Sequence, residues 1–210
     1  MAKKKAKIQR KVQNNIFKLH ISLLGTKPLV WRRIMVPEYF SLEALHSVLQ
    51  LTLGWQMSHL YDFVIDDRRY AEPDDFDETP VESLATSLTD AFQENKSLIY
   101  NYDFGDAWQH SILIEAKLPS DENFNYPICI GGENACPPED CGSIDGFEEL
   151  KLKVADPKHE DHLAMMRWLG GYFDPFSFDP NRINRDLLWN IDWRRKPNEQ
   201  GLYLPFADSD

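Results

Sequence analysis

Apolar and polar residues alternate along "IFKLHISLL". Phe17, Leu19, Ile21 and Leu23 fall on one side, Lys18, His20 and Ser22 on the other. A period of two predicts a half-buried β-strand. "GTKP" supplies a turn and "LVWRRIMVP" the returning strand, ended by Pro37. The period then changes: Leu42, Leu45, Leu49 and Leu53 recur at helical spacing. Ser41 stands where an N-cap belongs, Glu43 lies in the first turn, and Gly54 ends the helix. Further on, "HLYDFVIDDRRY" predicts a strand, an Asp-Asp turn and a short return. Residues 71–82, acidic and broken by prolines, read as a solvated loop. "SLATSLTDAF" predicts one or two helical turns. "SLIYNYDF" and "WQHSILIEAKL" are two more strands, joined by a tight acidic segment.

Beyond Pro119 the glycines and prolines of "NYPICIGGENACPPEDCGSIDG" predict irregular backbone. "FEELKLKVA", "PKHEDHLAMMRWLGG" and "PNRINRDLLWN" then read as helices with polar outer faces. The order hairpin, helix, strand, hairpin predicts an α+β fold. It would have a mixed or antiparallel sheet, a helix packed across it in a β-grasp-like core, and a C-terminal helical cap. The expected organisation is a disordered basic tail over 1–13 and one domain over 14–194, followed by an extension over 195–210. Within that domain, 14–118 form the sheet and helix core, and 119–194 the Cys/Pro-rich loop and cap.

Charge sharpens this picture. The net charge is −11, yet residues 1–11 hold six Lys or Arg and no acid, which leaves 17 basic against 34 acidic residues in the remainder. So acidic a body repels phosphate backbones. Nucleic acid is therefore expected only as a weak partner of the tail, and a basic protein or peptide suits the body better. No apolar run approaches the roughly 20 residues of a membrane span. No apolar signal segment follows the basic N-terminus, so a cytoplasmic location without membrane contact is expected.

The segment "YDFGDAWQH" concentrates candidate chemistry. If Gly105 and Asp106 form a two-residue hairpin loop, Asn101, Asp103, Trp108 and His110 share one face, with Asp103 diagonal to His110. A carboxylate beside an imidazole is a general-base pair or half of a metal site, which makes Asp103, Asp106 and His110 the catalytic candidates. A loop one residue longer would turn His110 to the face of Tyr102 and dissolve the pair. In the simpler reading the aspartates bond the turn backbone and the aromatics line the core.

Cys129, Cys136 and Cys141 are spaced C-x6-C-x4-C. Three cysteines make no disulfide framework in a chain of this size. As zinc ligands they would need a fourth group, for which His110 or His59 could serve. The alternative is small buried thiols and no cofactor. Glu139 and Asp140 in "CPPEDCG" could favour a harder cation. Alternation puts His59 and Asp62 on opposite strand faces, and His46 reads as a partly buried core histidine. "HEDH" places His159 and His162 on one face of a helical first turn, without metalloprotease spacing. Trp55, His59, Tyr102 and Trp108 lie in the aromatic segments "GWQMSHLYDF" and "YDFGDAWQH" and are the candidate binding residues.

Taken in order, "PLVWRRIMVP", "LHSVLQLTLGWQMSHLYDF", "YDFGDAWQH", "YPICIGGENACPPEDCGS" and "WLGGYFDPFSFD" resemble the plasmid pRiA4b ORF-three-like family over roughly residues 14–190. That family comprises bacterial and archaeal proteins, some of them passengers in mobile genetic elements labelled TnpR. The resemblance implies a protein with no assigned biochemical activity. A resolvase would need a nucleophilic Ser or Tyr among arginines on a DNA-binding scaffold. The arginines here occur as the pairs at 32–33, 68–69 and 194–195, with no helix-turn-helix.

There is no G-x-S-x-G elbow, P-loop or G-x-G-x-x-G segment. The leading expectation is a non-catalytic binding or accessory protein with a protein or peptide partner. The alternative is a metal-dependent hydrolase or nuclease using "YDFGDAWQH" with the cysteine loop, the metal generating a hydroxide nucleophile.

Overall fold

The computed structural model describes residues 15–73, 79–93, 95–121 and 126–190. The expected basic tail, the C-terminal extension and the middle of the 71–82 loop lie outside the described residues. Strand β1 (Asn15–Leu23) buries Phe17, Leu19, Ile21 and Leu23 while Lys18, His20 and Ser22 stay partly exposed. It pairs antiparallel with β2 (Val30–Pro37). Helix α1 (Leu42–Leu53) follows. The Ser41 hydroxyl accepts from the Ala44 amide at 3.1 Å, and Gly54 closes the helix with a positive φ of 85°. Its leucines at 42, 45, 49 and 53 are buried, so the helical spacing corresponds to one core-facing stripe.

Next come β3 (Tyr61–Ile65), β4 (Arg68–Tyr70), the short α2 (Leu88–Phe92), β5 (Ser97–Tyr102) and β6 (Trp108–Pro119). Asp66 and Asp67, both at positive φ, make the two-residue turn between β3 and β4. β7 (Ile128–Glu133), α3 (Ser143–Ala155), α4 (His162–Trp168) and α5 (Pro180–Asn190) follow among the described residues. The seven strands form one sheet in the order β4-β3-β5-β6-β1-β2-β7. Every pairing between these strands is antiparallel, so the antiparallel of the two expected arrangements is the one found. Together with the helices it makes an α+β fold.

Three expectations need correction. The glycine-rich segment after Pro127 is not irregular but forms edge strand β7 against β2. Glycine is required there by close approach: a Cβ on Gly132 would stand 2.6 Å from the Phe178 ring and 2.8 Å from the Trp31 carbonyl oxygen. The "HEDH" histidines do not share a helical face, since α4 begins at His162. The His159 imidazole instead caps the preceding turn, accepting from the Asp161 amide at 3.0 Å.

The third correction concerns the hairpin of β5 and β6. Tyr102 faces Trp108 and Tyr100 faces His110, so the loop runs from Asp103 to Ala107. Asp103 leaves the strand at φ 55°, and its Oδ1 accepts from the amides of Gly105 at 3.0 Å and Asp106 at 3.3 Å. Its carbonyl takes the Ala107 amide at 2.6 Å, with Ala107 also at positive φ. This side-chain-capped turn is longer than the two-residue loop, and it moves the register by one. His110 accordingly shares the buried face with Tyr100, Tyr102 and Trp108, and the expected pairing of Asp103 with His110 does not form. Among the described residues no helix is long and apolar enough to cross a membrane.

Candidate metal centre

The loop leaving α1 turns back over the sheet. Met57, at positive φ, donates its amide to the Gln50 side chain at 2.9 Å. Trp55 stacks on Tyr102 with ring centroids 5.0 Å apart, and its indole N–H donates to the Pro137 carbonyl at 2.8 Å. The Tyr102 hydroxyl accepts from the Ser58 amide at 3.2 Å and donates to the Glu139 carboxylate in a short hydrogen bond. Glu139 also accepts from the Gln56 amide at 3.1 Å. Burial, reinforced by the Glu139 carboxylate, pushes the Tyr102 phenol up to about 12, so it remains a donor. Tyr102 thus fastens the "PPED" loop to the loop after α1.

That fastening brings His59, Asp103 and Asp140 together. His59 Nε2 lies 3.7 Å from Asp103 Oδ2 and 3.3 Å from Asp140 Oδ1, and the three donor atoms all fall within 4.8 Å of one another. Ligand atoms about 2.1 Å from a common ion at tetrahedral angles stand about 3.4 Å apart. The two His59–carboxylate separations bracket that value. Asp103 is held for such a role, because its Oδ1 is engaged by two amides while Oδ2 faces His59. Asp140, at φ 59°, is 73% exposed at its side chain and leaves the outer side of the cluster open to solvent. One imidazole and two carboxylates make a borderline-to-hard donor set, suited to manganese, iron or zinc.

The remaining candidates are placed elsewhere. His110 is fully buried, with Nδ1 3.3 Å from the Tyr100 carbonyl and Nε2 without a partner. Burial pulls its imidazole down to about 3, so it stays neutral in the core. Asp106 accepts from the Gly142 amide at 3.1 Å and ties the hairpin loop to the start of α3. Trp55, Tyr102 and Trp108 are buried and form the floor beneath His59, whose ring stands edge-on to Tyr102 at 5.7 Å. His46 is likewise structural: Nδ1 lies 2.7 Å from the Tyr100 hydroxyl, and its ring stacks on Tyr61 at 3.5 Å.

The cysteines and His110, the zinc ligands of the alternative reading, do not gather into one ligand group among the described residues. Cys129 sits on β7, where Asn184 bonds its backbone from α5, and the Cys136 sulfur accepts from Arg32. Burial raises all three thiols, Cys141 to about 12 with Asp106 adding to the effect. The Cys/Pro loop still reaches His59 and Asp103. It delivers Asp140, a carboxylate, to the site in place of sulfur.

His59, Asp103 and Asp140 lie in three of the five segments that carry the family resemblance. The profile described as "Plasmid pRiA4b ORF-3-like protein" matches residues 15–182. The chain belongs to this family. It is similar to y4hQ, an uncharacterized protein of Sinorhizobium fredii. The two are 38% identical over 189 residues, covering 87% of this chain and 96% of the relative. It is also similar to the crystal structure of a protein of unknown function, MM3350, from Methanosarcina mazei. That match has a TM-score of 0.74 at 36% identity, covering 80% of this chain and 97% of the other. Neither relative's name assigns an activity to the pRiA4b ORF-3-like fold.

Proposed function

We propose that this pRiA4b ORF-3-like protein is a metal-dependent hydrolase whose divalent ion is held by His59, Asp103 and Asp140. The observation that carries the reading is the spacing of those three donors at the solvent-facing end of a rigid aromatic floor. Three protein ligands leave coordination positions for water and a substrate oxygen. A bound ion would lower the pKa of that water and polarise the substrate's carbonyl or phosphoryl group. "YDFGDAWQH" contributes Asp103, and the cysteine loop contributes Asp140 rather than a thiolate. In this reading residues 14–194 act as one domain, with a β-grasp-like hairpin and helix core and the C-terminal helices as a cap.

The test is turnover of chromogenic phosphate and carboxylate esters by the manganese- or zinc-loaded full chain, with chelated protein and D103N as controls. Asparagine keeps the oxygen that caps the loop but removes the charge. Cation-dependent turnover lost in D103N supports the reading. Bound metal without turnover of any ester contradicts the hydrolase and favours a second reading, a non-catalytic accessory protein with a protein or peptide partner. That second reading is supported by the exposed aromatics Trp168, Tyr172, Phe176 and Trp189 in the C-terminal region.

A further inference from the structure

Arg32 occupies a position where the strand pattern expects an apolar residue. It lies on the core-facing side of β2 between Val30 and Ile34, and it is only 4% exposed. Nη1 donates to the carbonyls of Trp31 at 2.8 Å and Glu133 at 3.0 Å, Nε to that of Thr52 at 3.4 Å, and Nη2 to the Cys136 sulfur at 3.2 Å. A guanidinium carries five N–H groups. These contacts use four, and the second N–H of Nη2 has no partner among the described residues.

None of those acceptors is a carboxylate. The C-terminal end of α1, met through Thr52, supplies a partial negative potential but not a full counter-charge. A buried charge without one is a costly arrangement.

Arg32 also lines a cavity of about 380 Å³ between the end of α1, the Cys/Pro loop and the segment leading into α5. That volume lies at the small end of the range for ligand pockets. Leu53, Pro138, Tyr172, Phe178 and Ile183 supply the apolar part of its walls. The Phe178 ring faces the guanidinium, with Cζ 5.0 Å from its centroid, and it can sit there because Gly132 lacks a Cβ.

Three carboxylates and the side chain of Arg182 share the lining, and none of the three carboxylates forms an ion pair with Arg32 among the described residues. Asp174 Oδ1 accepts from the Phe176 amide at 2.9 Å, and Asp179 Oδ1 from the amides of Asn181 and Arg182 at 2.9 and 3.1 Å. Asp186 lies 3.9 Å from the Arg182 side chain. Their field disfavours a multiply charged phosphate, whereas a single negative charge placed on Arg32 meets its counter-ion directly.

We propose that this cavity binds a small aromatic monocarboxylate, with its carboxylate on the free Arg32 N–H and its ring against Phe178 and Tyr172. The site is separate from His59, Asp103 and Asp140, and it stands whether or not a metal binds there.

Titration of the full chain with 3-phenylpropionate, 3-phenylpropanol and 3-phenylpropylamine, followed by NMR, tests it with three probes of one shape. The carboxylate should bind about tenfold or more tightly than the alcohol, the equivalent of one charge-assisted hydrogen bond. I183W adds an indole at the cavity wall and should abolish binding. Y172A, at an exposed wall where folding is not at risk, should weaken it several-fold. Equal binding of the three probes, preference for the amine, no binding at all, or unchanged affinity in Y172A would overturn the assignment.

Discussion

His59 Nε2 and Asp140 Oδ1 stand 3.3 Å apart although they come from separate loops, one leaving α1 and the other preceding α3. Asp103 approaches the same imidazole at 3.7 Å from a third loop.

Tyr102 positions this site without joining it. Tyr102→Phe leaves the Ser58 amide and Glu139 without the hydroxyl that links them. The substitution should cost about 1–3 kcal/mol in urea unfolding. Through the displaced His59 loop it should also weaken metal binding about 10–100-fold. A purely structural role would lower stability and leave metal affinity unchanged.

Trp55 is the floor's largest contact, stacked on Tyr102 and bonded to the Pro137 carbonyl. Trp55→Ala should cost about 3–5 kcal/mol, read as a lower denaturation midpoint.

Two buried histidines make stability depend on pH. Burial lowers both His46 and His110 from 6.5 to about 3. The unfolded chain therefore takes up protons that the folded chain refuses. Their contribution is fully present above about pH 6.5 and is lost as pH falls from there toward 3, by up to about 1.4 kcal/mol per pH unit for each group. His110→Gln should roughly halve that slope in denaturation curves at pH 4–6.

Glu115 has the carboxylate version of this linkage. Hydrogen bonds from Arg33 hold it at about 2, so its contribution is present above its ordinary 4.5 and disappears as pH falls through about 2. The pair is largely solvent-facing, so Arg33→Ala should cost no more than about 1 kcal/mol at neutral pH, with the loss shrinking in high salt.

The first half of the fold was legible because its strands and helix bury one face each. β1 and α1 show this as alternation and as a leucine stripe. β7 was hidden because its glycines serve close approach to Trp31 and Phe178 rather than a turn. The β5–β6 register depended on the positive φ of Asp103, which the sequence "YDFGD" does not disclose.

The site was harder to read for a related reason. His59 has no partner in its own segment, since the nearby Asp62 bonds Arg69 and Asn101. Its true neighbours lie in "YDFGDAWQH" and "CPPEDCG". Both segments read as suspect for chemistry, but only tertiary packing joins them.

Calorimetric titration of untagged, chelator-stripped protein with Mn²⁺ and Zn²⁺, wild type beside D140N, decides whether His59, Asp103 and Asp140 hold an ion. Asp140 is exposed, so its replacement should leave the metal-free melting curve unchanged. One ion per chain should bind the wild type, with affinity weakened about 100-fold or more in D140N. No saturable binding of either ion, or equal binding in both proteins, would contradict it.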